Sequence, residues 1–197
     1  FMKRLWKAVH AHVSSGLVPQ AEIEKLGRAA LEPPQRDMRR QVHETLAKVT
    51  TDVGRRRTFN TAIAATMELM NALAKFDDRT PLGRAVVQEA LEYVVLMLQP
   101  VVPHASHALW RALGHPDAAV DQPWPTIDAS ALVRDSIEVV VQVNGKLRGR
   151  VTVPANADEE TVRVAALADP HVQKFVEDKP VRKFIFRPQN KLANVVV

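Results

Sequence analysis

The chain contains no cysteine, which excludes disulfides and thiolate metal sites. Aromatic residues make up only 5% of it, leaving little material for a base-stacking surface. Its seven glycines form neither a Walker loop nor a dinucleotide fingerprint. There is no Gly-x-Ser-x-Gly elbow and no His-Glu-x-x-His pair; His104 and His107 stand three apart with no third ligand at a convincing spacing, and His10 and His12 do not share a helical face. Nothing reads as an active site or a metal centre, and no cofactor is expected in this chain. No run approaches the roughly 18 apolar residues of a membrane span. Lys3, Arg4 and Lys7 interrupt the start, so no secretory signal is read, and a cytoplasmic location with no membrane partner is expected. The first residue is Phe and the first helical pattern starts without a capping residue, which suggests a fragment continuing from something upstream.

What is present is an ordinary globular composition, 46% apolar and 25% charged, with a net charge of +5 spread over both halves. The most informative stretch is Ile137–Pro154. Two β-branched runs flank Asn144-Gly145, a strong hairpin signal. A two-residue turn would set Val143 against Lys146 and Val141 against Arg148, mixing apolar and charged faces. A three-residue turn with a glycine bulge is therefore expected, placing Val141 and Val143 with Leu147, Gly149, Val151 and Val153. Arg148 and Arg150 would then share an outward face, with Lys146 at the tip.

Upstream, helical spacing predicts helices over 1–15, from Met38 to Val53 with Gly54 as the stop, 58–76, 81–99 and 103–114, with a short helix near 22–31 ended by Pro33-Pro34. Thr80 followed by Pro81 is a cap and a first helical position. The 81–99 helix is apolar nearly all round and should be central. Downstream, Asp158 and Asp169-Pro170 start two helices, the second ending at Pro180, and 181–187 and 191–197 read as strands. The fold class is thus a multi-domain α and α+β chain: an antiparallel helical bundle over 1–114, a proline-containing linker over 115–134, and a small ββααββ domain over 135–197. A domain that small buries little core.

Basic clusters remain. Arg55, Arg56 and Arg57 sit at a helix junction, where they could meet a phosphate backbone or simply offset a helix C-terminus. Arg36, Arg39 and Arg40, just upstream, read as a solvated helix surface. Lys146, Arg148 and Arg150 on one strand pair, with Arg182, Lys183, Arg187 and Lys191 on the other, could grip RNA or guard sheet edges against aggregation. The aromatics Phe175, Phe184 and Phe186 read as core, so backbone and shape recognition of folded RNA fits better than base stacking.

Several motifs carry a resemblance. Arg57-Thr58-Phe59-Asn60-Thr61-Ala62-Ile63-Ala64-Ala65 with Met67-Glu68-Leu69, then Pro103-His104 through Leu109-Trp110 and Trp124-Pro125, resemble the helical anticodon-binding bundle of the class I synthetases for leucine, isoleucine and valine. Val141-Gln142-Val143-Asn144-Gly145-Lys146-Leu147-Arg148-Gly149, with Val181–Phe186 and Lys191–Val196, resembles the C-terminal domain of the bacterial-type leucyl-tRNA synthetase family. The resemblance spans essentially the whole chain. It implies the tRNA-holding part of a longer enzyme, with tRNA(Leu) and that enzyme's own catalytic and editing domains as partners, and a monomer. ATP and Mg2+ would serve the missing catalytic domain. The basic clusters then supply the candidate tRNA-binding residues, Arg55, Arg56, Arg57, Lys146, Arg148, Arg150, Arg182, Lys183 and Lys191; the resemblance implies that the anticodon bases are generally unread, and the linker would let the small domain swing. The competing reading is a non-catalytic helical protein-interaction scaffold.

Overall fold

Helix-forming periodicity fills the first two thirds of the chain and β-branched alternation much of the last third, and the two patterns segregate in space. The computed structural model describes residues 1–133, 136–176 and 181–197. They form a helical unit, Phe1–Val133, and a sheet unit, Arg134–Val197.

The helical unit is a bundle of α1 (Met2–Ser14), α2 (Gln20–Glu24), α3 (Pro33–Thr51), α4 (Phe59–Leu73), α5 (Pro81–Leu98) and α6 (Pro103–Ala112). The apolar α5 is its centre: Val86, Ala90, Leu91, Val94 and Val95 are fully buried, and α1, α2, α3, α4 and α6 all pack on it. Thr80 caps α5 by accepting from the Gly83 N–H at 3.1 Å, while Asp78 holds the Thr80 N–H and hydroxyl at 2.9 and 2.7 Å.

Two helix boundaries differ from the sequence reading. Pro33 and Pro34 open α3 rather than closing the segment before it; Glu32 and Gln35 form a reciprocal capping box around them, and a proline in the first turn loses no intrahelical hydrogen bond. Gly54 does not stop the helix. The chain continues from α3 through one wide π turn, Asp52–Arg56, closed by the Thr58 N–H donating to the Asp52 carbonyl at 2.9 Å. The left-handed residue that ends it is Arg57, at φ 54°.

Residues 115–133, expected as a linker, belong to the helical unit. His115 stacks on Trp110 at 3.6 Å between ring centroids. Trp124 donates to the Thr50 hydroxyl at 2.8 Å. Asp128 accepts from Arg39 at 2.8 Å, and its backbone N–H donates to His43 at 3.1 Å. Arg39 in turn forks onto Glu89, with both partners at most 5% exposed. Arg39, read from sequence as part of a solvated surface, is thus the buried fastener of this segment. Pegs of one side chain at a time leave no periodicity for a sequence to display. Residue 134, the last of the expected linker, lies outside the described residues.

The sheet unit runs β1 (Ser136–Val143), β2 (Lys146–Pro154), α7 (Glu159–Ala168), α8 (Pro170–Val176), β3 (Lys183–Arg187) and β4 (Leu192–Val196). Pro180, the expected end of the second helix, lies outside the described residues. The four strands are ordered β2-β1-β4-β3, with β1 parallel to β4 and the other pairs antiparallel. Val139, Val141, Val143, Val151, Val153, Ala193 and Val195 form one face and pack against Val162, Ala166 and Val172 of the two helices.

The hairpin reaches its register by a different route from the one expected. Asn144 and Gly145, at φ 49° and 79°, make a tight two-residue turn. The odd residue is supplied inside β2: Val141 faces Gly149 and Gln142 faces Leu147, so Arg148 is left over as a β-bulge. Val139 and Val141 thereby stay with Gly149 and Val151, as the hydrophobic pattern demands. Leu147 is expelled from that apolar wall and is 55% exposed.

Candidate nucleic-acid interface

The nine candidate cations fall into three places. Arg55, Arg56 and Arg57 lie in and just after the π turn, all exposed. Beneath them the Asp52 carboxylate is buried and accepts from Lys48 at 2.8 Å, with the Arg56 guanidinium 3.7 Å away. Hydrogen bonds from Lys48 and Thr61 hold that carboxyl below the usual aspartate range. Arg56 is therefore partly matched, but its own side chain is 70% exposed, and such a surface pair is worth about 0–1 kcal/mol. Arg55 and Arg57 meet no carboxylate among the described residues.

In the sheet unit, Lys146 is exposed at the first position of β2, also without an acidic partner among the described residues. Arg150 lies on the face turned away from α7 and α8 and pairs with Glu138 at 3.0 Å, both side chains more than half exposed. Arg148 does not share that face. The bulge swings it over the Phe175 ring of α8, 3.7 Å from its centroid, so the expected Arg148–Arg150 row is broken.

Across the sheet, Lys183 and Arg187 flank Ile185 on β3, and strand alternation puts all three on the same uncovered face as Arg150. β2 and β3 are the two edges, so about 14 Å of sheet separates Arg150 from Arg187, which is in register with it, and Lys183 lies four residues away along β3. Between them lie half-buried Val140, Leu192 and Val196, with Asn194 between the last two on the same face. Arg182 precedes β3, its N–H donating to the Val196 carbonyl at 2.8 Å; Arg182 and Lys183 share a cleft with Glu159, Glu160 and Arg163. Lys191 sits in a left-handed turn at φ 48° and opens β4, its carbonyl accepting from the Val140 N–H.

Sequence reasoning missed two features. Phe59 and Phe175 are 43% and 41% exposed, where the helical stripe suggested core. Gly149 could have flagged the second: a Cβ there would lie 2.7 Å from Val172 of α8, so the helix presses on the strand beside the bulge and brings Phe175 to Arg148. Among the described residues no group of three or more His, Asp or Glu side chains is placed to hold a metal ion, and no helix is long and apolar enough to cross a membrane. A cleft of about 600 Å3 between α1, α4 and α5 is lined by none of the nine cations.

A family model described as the anticodon-binding domain of tRNA ligase matches residues 35–164, from α3 into α7. The chain belongs to this anticodon-binding family. It is 57% identical over 197 residues to the leucine–tRNA ligase of Thioalkalivibrio sulfidiphilus and 53% over 196 residues to that of Alcanivorax borkumensis, covering all of itself but only 23% of each relative. Its fold matches a chain from the crystal structure of a ternary complex of Agrobacterium radiobacter K84 LeuRS, tRNA and LeuAMS, with a TM-score of 0.68 and 29% identity over 96% of this chain and 24% of that one. This member of the family therefore spans about a quarter of the length of the relatives it matches.

Proposed function

We propose that this chain is the tRNA-holding part of a leucine–tRNA ligase, an antiparallel bundle joined to a ββααββ module that together position tRNA(Leu) for ATP-dependent leucylation elsewhere in a longer polypeptide. The observation that carries the reading is the 57% identity to a leucine–tRNA ligase along the whole chain. The exposed cations supply a mechanism. Phosphate contacts fix register and orientation, and correct orientation of the distant 3′ end lowers the barrier at the reacting centre. Arg55, Arg56 and Arg57 serve the bundle's contact. Lys146, Arg150, Arg182, Lys183 and Lys191, with Arg187, serve the module's, and Arg148 contributes through its packing on Phe175. The partners are tRNA(Leu) and the catalytic and editing domains of the same polypeptide, which works as a monomer in the cytoplasm. ATP and Mg2+ belong to the catalytic domain.

The test is a salt titration of tRNA(Leu) binding beside a tRNA with a short variable arm. Replacing Lys146, Arg150, Lys183 and Arg187 by Gln should weaken binding and flatten the log K against log salt line by about one unit for each phosphate no longer neutralised. An unchanged slope overturns the assignment of these cations. Retention of a protein partner without any tRNA binding would favour a scaffold instead.

A further inference from the structure

Among the described residues, three aromatic rings are large apolar groups exposed on the surface: Trp6, Phe59 and Phe175. Trp6 lies 5.0 Å from the His10 ring, and Phe175 carries the Arg148 guanidinium. Phe59 has neither kind of partner. Its position at the start of the α4 stripe marks it as core by sequence, yet 43% of it is exposed. A phenyl ring left 43% exposed keeps apolar surface available for contact.

Its surroundings indicate which contact. Phe59 follows Arg57 by two residues, so their Cα atoms are no more than about 7 Å apart. Arg55 and Arg57 have no carboxylate partner among the described residues, and residues 54–60 are exposed throughout. The segment is braced from beneath: the π turn is closed by the Thr58 N–H donating to the Asp52 carbonyl at 2.9 Å, and the buried Asp52 carboxylate accepts from Lys48 at 2.8 Å. A braced turn thus sets a part-exposed aromatic ring beside guanidiniums without a carboxylate partner among the described residues. An unpaired nucleotide fits both halves of this arrangement, with a base for the ring and phosphates for the arginines. A fully paired stem offers only the phosphates, because its bases are already stacked.

We infer that Phe59 is a stacking platform for an unpaired base, converting the arginine cluster from a backbone contact into one that prefers looped RNA. The inference rests on the RNA-holding reading and names the feature of the RNA that this patch takes. It is tested with the full chain by fluorescence anisotropy against a labelled RNA hairpin with an unpaired loop, a blunt duplex of the same stem, and poly-L-glutamate as a polyanion without bases. Phe59→Ala should weaken hairpin binding by about 5- to 100-fold while leaving duplex binding and the hairpin salt slope unchanged. Phe59→Leu, which keeps an apolar bulk without a π face, should lose most of the same preference, and Phe59→Trp should retain it. Circular dichroism melts of each variant separate unfolding from removal of the stacking surface. If Phe59→Ala and Phe59→Leu bind the hairpin like the parent while Arg55→Gln and Arg57→Gln do not, the arginines act alone and this inference fails with the RNA-holding reading intact. Equal losses on hairpin, duplex and polyglutamate also overturn it. If the parent chain binds neither RNA, both readings fall together.

Discussion

The helical unit and the sheet unit handle charge in opposite ways. Every buried polar or charged side chain among the described residues lies in the helical unit, including Arg39, Glu89, Glu92, His43 and Asp52. There the ions are matched to one another: Arg39 bridges Glu89 and Asp128 and so ties residues 115–133 to the bundle. The fully buried core of the sheet unit is valine and alanine alone, covered by helices on one face. Among its described cations, Lys146 and Arg150 lie on one edge strand, Lys183 and Arg187 on the other, and Arg163 and Lys174 on the covering helices. A charge that holds a fold together is not available to a ligand, and a charge left at the surface contributes little to the fold. The π turn is the exception inside the helical unit, where a buried aspartate braces the backbone and the arginines above it remain exposed.

Removing the central ion should separate the two units most sharply. Arg39→Ala leaves Glu89 buried without its partner and should destabilise the helical unit by about 3–5 kcal/mol. All three tryptophans lie in that unit, so tryptophan-monitored urea unfolding reads it alone. An unchanged midpoint would show that the network does not hold 115–133 in place.

The matching perturbation of the sheet unit is steric. Gly149→Ala would set a Cβ 2.7 Å from Val172 and 3.1 Å from Asp169 of the adjoining helix region. It should cost about 1–3 kcal/mol, read as reduced protection of β1 and β2 amides in hydrogen exchange, and Val172→Ala should partly rescue it. The tryptophan transition should not move.

Acid should act on the helical unit through Asp128. Burial pushes the Asp128 carboxyl up, but hydrogen bonds from Ser130 and Arg39 outweigh it and hold it down at about 2. A depressed carboxylate contributes stability above its unfolded pKa of about 4 and loses it as the pH falls toward the folded value. Trp124 fluorescence should therefore change between about pH 4 and about pH 2, and Asp128→Asn should remove that step.

The smallest effect is expected at the bulge. Arg148→Met removes a partly exposed cation–π contact worth about 0.5–1 kcal/mol. It should lower the stability of the sheet unit slightly and change the RNA salt slope less than Lys146→Met does. An equal change in slope would return Arg148 to the outward row expected from sequence.

What could be read in the chain beforehand was local. The Asn144-Gly145 turn, the Thr80-Pro81 start, the Asp158 cap that accepts from Thr161 at 2.8 Å, and the Asp169 oxygen that takes the N–H groups of His171 and Val172 each depend on neighbours a few residues away. Backbone preference and side-chain reach fix such features wherever the segment ends up. Pro33-Pro34 and Gly54 show the limit even of local signals, since a proline suits both a helix start and the end of what precedes it.

The residue sequence alone determined where helical and strand periodicities fall, which caps start the helices, and which family the motifs resemble. Tertiary structure decided whether each arginine is a fastener or a free cation. Arg39 in a helix, Arg148 at a strand bulge and Arg57 in a left-handed turn are the same residue type, yet one is buried on Glu89, one lies on Phe175 and one is open to solvent. The difference comes from residues distant in the chain or from a neighbouring layer. A charge's energy depends on what surrounds it in space, which no local pattern encodes.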